Sequence, residues 1–134
     1  MKRLLTLGPA MLAGAAIGAL AVQGLHAQAK PPVYYISEIT VTNPDAYAKD
    51  YAPKAQASIK AHGGRIAAVG GVAGNLAQPI VTFDGDAPQR ATVQVWDSID
   101  QIKAWRSDPE YIALRKIGDQ YAKFQSFAVP GVAQ

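Results

Sequence analysis

The sequence predicts an α+β fold: a four-stranded antiparallel sheet with two helices on one of its faces. Three observations lead there. Residues 33–41 and 90–96 are rich in β-branched and aromatic side chains and read as strands. Two helical segments open on similar signals, Thr42-Asn43-Pro44-Asp45-Ala46-Tyr47 and Ser107-Asp108-Pro109-Glu110-Tyr111, so the chain reads as strand–helix–strand twice. The stretch from Lys30 onward is about 100 residues long, room for a single hydrophobic core.

The chain begins with Lys2 and Arg3, followed by an uncharged run over 4–22 dominated by Leu, Ala and Gly. This is the pattern of a signal peptide, with two cations holding its start on the cytoplasmic side. Ala27-Gln28-Ala29 offers small residues for cleavage after Ala29 or Ala27, so 1–29 is expected to be a leader and 30–134 the single domain. The alternative is an uncleaved anchor, because about 19 apolar residues can just span a bilayer. Removing the leader takes Lys2 and Arg3 from the 13 Lys+Arg, leaving 11 against 10 acids, a net charge of +1. A nearly neutral domain carries no electrostatic footprint for nucleic acid, and any membrane contact is expected only through a retained leader. The chain has no cysteine, which excludes disulfides, thiol catalysis and thiolate metal sites. A bacterial periplasmic or secreted location is expected.

The first strand, 33–41, carries apolar groups on both alternating faces: Val33, Tyr35, Ile39 and Val41 on one, Tyr34 and Ile36 on the other. A strand of that kind is covered on both sides. Asn43-Pro44-Asp45 starts a helix whose stripe runs through Tyr47, Tyr51, Ala55, Ile59 and His62, with Pro53 expected to kink or restart it and Gly63-Gly64 to end it. A strand over 65–69, an irregular glycine-rich segment over 70–78, a strand-like run over 80–83 and a turn at 84–88 follow. In the strand over 90–96, Ala91, Val93 and Val95 share one face and Thr92, Gln94 and Trp96 the other. Asp97 or Ser98 caps a short helix with Ile99, Ile102 and Trp105 or Arg106 on one side. Ser107 and Glu110 have the spacing of a capping box ahead of a helix with the stripe Tyr111, Leu114, Ile117 or Gly118, and Tyr121. Residues 126–129 close as a short strand. Two strand–helix–strand units of this kind build the ferredoxin-like βαββαβ arrangement, whose open sheet face a second copy would cover in a two-fold homodimer.

Particular residues carry candidate chemistry. His62, the one histidine after the leader, reads either as a general base beside an anion-holding Arg65 or as a helix-end imidazolium that complements the helix dipole. Tyr111 and Arg115, four apart, read as an anion clamp between helix and sheet or as a core tyrosine beside a surface ion pair. Glu38 reads as a half-buried carboxylate base or as the partner of a cross-strand cation. Trp105 reads as a stacking platform for a flat ligand or as core. A single histidine excludes a multi-histidine metal centre, the glycine-rich segment lacks the residues of a phosphate loop, and no cofactor is expected.

Tyr34-Tyr35-Ile36 with Asn43-Pro44 and Tyr47, Ala61-His62-Gly63-Gly64-Arg65, Asp84-Gly85 with Pro88, and Trp105-Arg106-Ser107-Asp108-Pro109-Glu110-Tyr111 with Leu114-Arg115 together resemble the bacterial family called domain of unknown function 1330. The resemblance covers residues 33–132. It implies a fold of the dimeric α+β barrel superfamily and a homodimer, and it implies no reaction, because the family has no agreed activity. Many relatives carry an arginine where this chain has Gly118. Two functions are expected: an exported homodimer that binds a small anionic or aromatic molecule, or a cofactor-free enzyme resembling the monooxygenases and isomerases of that superfamily.

Overall fold

The computed structural model describes residues 30–73 and 78–134; the expected leader and residues 74–77 of the glycine-rich segment lie outside the described residues. Strand β1 (Val33–Val41) leads into a helical arm of three parts. These are α1 (Pro44–Ala46), a π-helical turn (Tyr47–Tyr51) and α2 (Ala52–Ala61). Strands β2 (Arg65–Gly71) and β3 (Arg90–Trp96), helices α3 (Ile99–Ser107) and α4 (Pro109–Tyr121), and strand β4 (Ala122–Pro130) complete the order. The four strands form one sheet in the order β2-β3-β1-β4, every pair antiparallel. This is the ferredoxin-like arrangement expected from the sequence.

The arm starts as expected, with the Asn43 side chain accepting from the Ala46 amide at 3.2 Å and Pro44 in the first turn. Pro53 acts as a restart rather than a kink. Its ring would press on the Lys49 carbonyl in a regular α-helix, and its nitrogen donates nothing. The preceding turn widens instead: the Ala52 amide bonds to the Tyr47 carbonyl, a five-residue step. Gly63 ends the arm at φ +92°, a left-handed conformation that favours glycine.

Three local expectations are corrected. Residues 80–83 form no strand, although their side chains favour one. β3 already pairs with β2 and β1, and on the free edge of β2 only Gln78 bridges, to Gly70. Pro79 has no amide with which to continue that pairing, and Val81 and Phe83 stay exposed. Ser107 does not cap α4. It ends α3, its hydroxyl donating to the Lys103 carbonyl at 2.7 Å, and Asp108, the first residue to leave helical geometry, accepts from the Glu110 amide at 2.8 Å. The last strand begins at Ala122 rather than 126, because β4 pairs along the whole of β1. Ser98 caps α3 through the Gln101 amide, and Ile102 and Trp105 are its buried residues while Ile99 is exposed.

The register assigns each side chain to a face. Toward the helices point Val33 with Trp96, Tyr35 with Gln94, Ser37 with Thr92 and Ser126, Ile39 with Arg90 and Phe124, and Val41 with Ala122. The opposite, uncovered face carries Tyr34 with Val95 and Val129, Ile36 with Val93 and Phe127, and Glu38 with Ala91 and Gln125. β3 therefore turns its polar face inward and its apolar face outward.

The buried apolar residues fall into two clusters. One gathers Val33, Tyr35, Ile59, Trp96, Ile102, Trp105 and Tyr111 at one end of the sheet. The other gathers Ile39, Val41, Tyr47, Tyr51, Ala52, Ala55 and Ala122 at the other end. Between them the sheet presents Ser37, Thr92, Gln94 and Arg90.

Candidate functional site

Over that polar strip the helices leave a cavity of about 50 Å³, partly open to solvent. Its floor is Ser37 and Ile39 from β1 with Arg90, Thr92 and Gln94 from β3. Its walls are Tyr47, Tyr51 and Gln56 from the helical arm, Trp105 from α3, Tyr111 and Arg115 from α4, and Phe124 from β4. No Asp, Glu or His lines it, yet two arginines do.

The floor is polar and mostly satisfied. Ser37 and Ser126 share a hydrogen bond of 2.8 Å, and the Gln94 side-chain oxygen accepts from the Trp96 indole at 2.9 Å. Arg90 is different. The residue is only 2% exposed. Both its hydrogen bonds leave from Nη1, to the carbonyls of Val72 (3.2 Å) and Ala73. Its carbon Cζ lies 5.4 Å from the centre of the Tyr47 ring. Its Nε is buried with no partner among the described residues. A buried donor left unpaired costs about 1–3 kcal/mol, and more when it is charged. No carboxylate lining the cavity balances this cation.

Arg115, the second arginine lining the cavity, is in a more settled state. Its Nε donates to Asp119 at 2.9 Å, its Nη1 to the Tyr111 hydroxyl at 3.4 Å, and its guanidinium stacks 3.7 Å over the Phe124 ring. Burial works against the cation, but the Tyr111 oxygen and Asp119 outweigh it and hold its pKa above the ordinary value. Burial also pushes the phenols of Tyr47 and Tyr51 up, with Arg90 pulling Tyr47 partly back. Both therefore stay protonated at neutral pH and act as hydrogen-bond donors.

Of the residues singled out from sequence, Tyr111, Arg115 and Trp105 come together on the cavity wall. Trp105 is 2% exposed and packs against Trp96, Tyr111 and Tyr35 at ring-centroid distances of 5.1, 4.3 and 5.5 Å. Its indole donates to the Ser58 hydroxyl at 3.1 Å. The other three residues lie elsewhere. Arg65 is exposed at the start of β2. Glu38 is exposed on the uncovered sheet face, not half-buried, because its position in β1 alternates away from the helices. His62 stands at the end of the helical arm. Its Nδ1 lies 2.8 Å from the Ser58 carbonyl and its Nε2 2.8 Å from the Asp108 carboxylate. Acceptors at both ring nitrogens favour the imidazolium, and they leave no free lone pair for a general base. The Ser58 carbonyl and Asp108 raise the His62 pKa.

Sequence reasoning missed Arg90 and Arg106. Arg106 donates from Nη1 to the hydroxyls of Tyr35 (3.1 Å) and Tyr111 (3.2 Å) and so fixes the rim of the aromatic cluster. For Arg90 the sequence showed only that it shares a strand face with Thr92, Gln94 and Trp96, not that this face turns inward.

The family described as domain of unknown function DUF1330 matches residues 32–132. The chain belongs to this family. The DUF1330 domain thus takes in every strand and helix of the fold, and the cavity with them. No curated protein matches the chain. Among solved structures, the domain is similar to SnoaB, a cofactor-independent oxygenase from Streptomyces nogalater. The two superpose with a TM-score of 0.54 at 10% identity, over 78% of this chain and 96% of that one. It is also similar to RPA0582, a protein of unknown function from Rhodopseudomonas palustris. There the TM-score is 0.51 at 14% identity, over 85% of this chain and 93% of that one. At these identities the likeness is one of fold.

Proposed function

We propose that this DUF1330 domain is exported and works as a homodimer that binds a small anionic molecule in the cavity between its helices and its sheet. One observation carries the reading. Between the two buried apolar clusters lies a cavity with polar groups on its floor, lined by two arginines and, among the described residues, by no acid. Such a cavity attracts negative charge and offers phenol, hydroxyl and amide groups to orient it. Cysteine-free composition and the leader pattern support a location outside the cytoplasm. The apolar outer face of β1, β3 and β4 supports the dimer, as does the fold type shared with the structural neighbours.

The likeness in fold to a cofactor-independent oxygenase keeps an enzymatic reading in view. The inventory of the cavity speaks for binding. Abstracting a proton needs a basic group within hydrogen-bond reach. The polar groups lining this cavity, among the described residues, are two cations, neutral amides, hydroxyls and phenols.

A ligand-stabilisation screen of the full chain tests the reading. Small anions should raise the unfolding temperature. Arg115→Ala should weaken the effect about tenfold or more, and His62→Ala, outside the cavity, should leave it in place. A screen in which no small molecule raises the unfolding temperature would sink the reading.

A further inference from the structure

Resting on that reading, we infer that Arg90 is the anchor of the cavity and that its ligand is a short-chain monocarboxylate. Three observations converge on the residue. The residue is only 2% exposed and lines the cavity floor. Both hydrogen bonds use Nη1, held by the Val72 and Ala73 carbonyls, so the group is fixed by one corner. On the remaining edge, Nε is buried without a partner among the described residues. That edge carries two parallel N–H groups at the spacing of a carboxylate's two oxygens.

The other cations near the cavity are engaged. Arg115 is held by Asp119, Tyr111 and the Phe124 ring. Arg106 donates to two phenols. Among the described residues, Arg90 alone combines burial, a position fixed through Nη1 and a buried Nε without a partner. The Tyr47 phenol, kept protonated beside it, is a further donor for a bound oxygen.

Size selects the ligand class. A cavity of about 150 Å³ is what holds a benzene ring, whereas each molecule of liquid water takes about 30 Å³. The 50 Å³ here is about a third of that and suits a group the size of acetate better than an aromatic ring. A single guanidinium edge without surrounding backbone amides matches a planar monoanion better than a tetrahedral dianion.

The test uses the full chain with acetate, propionate, the neutral acetamide, a set of neutral aromatic compounds, and inorganic phosphate. Unfolding temperature and the Nε–H resonance of Arg90 are the readouts. Acetate and propionate should raise the unfolding temperature and move the Arg90 Nε–H signal, while acetamide and phosphate do neither. Arg90→Lys, which keeps the charge and loses the fork, should weaken acetate binding at least tenfold, with His62→Gln unchanged. If the lysine variant does not fold, the Nε–H signal of the native chain decides: movement with acetate supports the assignment, and a signal unmoved at saturation overturns it. Acetate bound equally by Arg90→Lys, or phosphate binding where acetate does not, would overturn the anchor and leave the small-anion reading standing, whereas neutral compounds binding where no anion does would overturn both. Silence from every compound would overturn both.

Discussion

His62 and Asp108 tie the end of the helical arm to the junction between α3 and α4 through a 2.8 Å ion pair, each side chain rather more than a quarter exposed. The Ser58 carbonyl and Asp108 raise the His62 pKa, while His62 and the Glu110 amide lower that of Asp108. A raised histidine stabilises fully below its unfolded value of about 6.5, and this stabilisation fades as pH rises through its folded value. A lowered aspartate stabilises above its unfolded value of about 3.9 and loses that contribution as pH falls through its folded value. The pair is therefore strongest between about pH 4 and pH 6.5. The difference in unfolding temperature between the native chain and His62→Gln should be largest in that window and shrink toward pH 9; a difference independent of pH would refute the pairing. At Gly118 a methyl group would lie 2.6 Å from the Tyr51 ring, so the arm and α4 meet through this glycine. Gly118→Ala should cost about 1–3 kcal/mol in denaturant unfolding by overpacking. The same contact leaves no space for the arginine that the family resemblance implies at this position: Tyr51 occupies it. The glycine was visible as a departure from the family pattern, but the ring that requires it, 67 positions away in the chain, was not.

At the scale of elements, Asp108 has two tasks: it caps α4 and it pairs with His62. Asp108→Asn keeps a good cap and loses the ion pair, whereas Asp108→Ala loses both. Thermal unfolding at about pH 6 should rank the native chain above the asparagine variant and that above the alanine variant, with steps of a few degrees. Equal midpoints for the two variants would mean that the cap contributes nothing. Apart from the run over 80–83, element type and order were legible in the sequence, because proline, glycine and capping residues act over a few positions. The limits of β1, β3 and the helical arm were legible for the same reason. The run over 80–83 was misread because a strand exists only where an edge accepts it, and edges belong to the assembled sheet. The capping box was misread because Ser107, with a suitable side chain, was still inside the preceding helix.

For the whole molecule, the uncovered sheet face is the feature that asks for a partner. Rows of Tyr34, Val95 and Val129 and of Ile36, Val93 and Phe127 make a contiguous apolar surface, with Tyr34, Phe127 and Val129 each about 40% exposed or more. Patches of this kind mark association surfaces. On the proposed dimer, Val93→Glu at the centre of the sheet should shift sedimentation from dimer to monomer, while the cavity on the other face keeps its ligand response. A native chain that sediments as a monomer at micromolar concentration would count against the dimer.

The sequence by itself determined the α+β class, the pairing of two strand–helix–strand units and three of the cavity's residues, Trp105, Tyr111 and Arg115. Local propensity, capping and alternation are short-range, and they are written where they act. The tertiary structure alone decided which face of each strand meets the helices. It thereby placed Glu38 and the apolar residues of β3 outside and Arg90, Ser37 and Gln94 inside. Alternation names two faces without saying which one is covered; that choice is made when distant elements pack, and the packing is what buries Arg90.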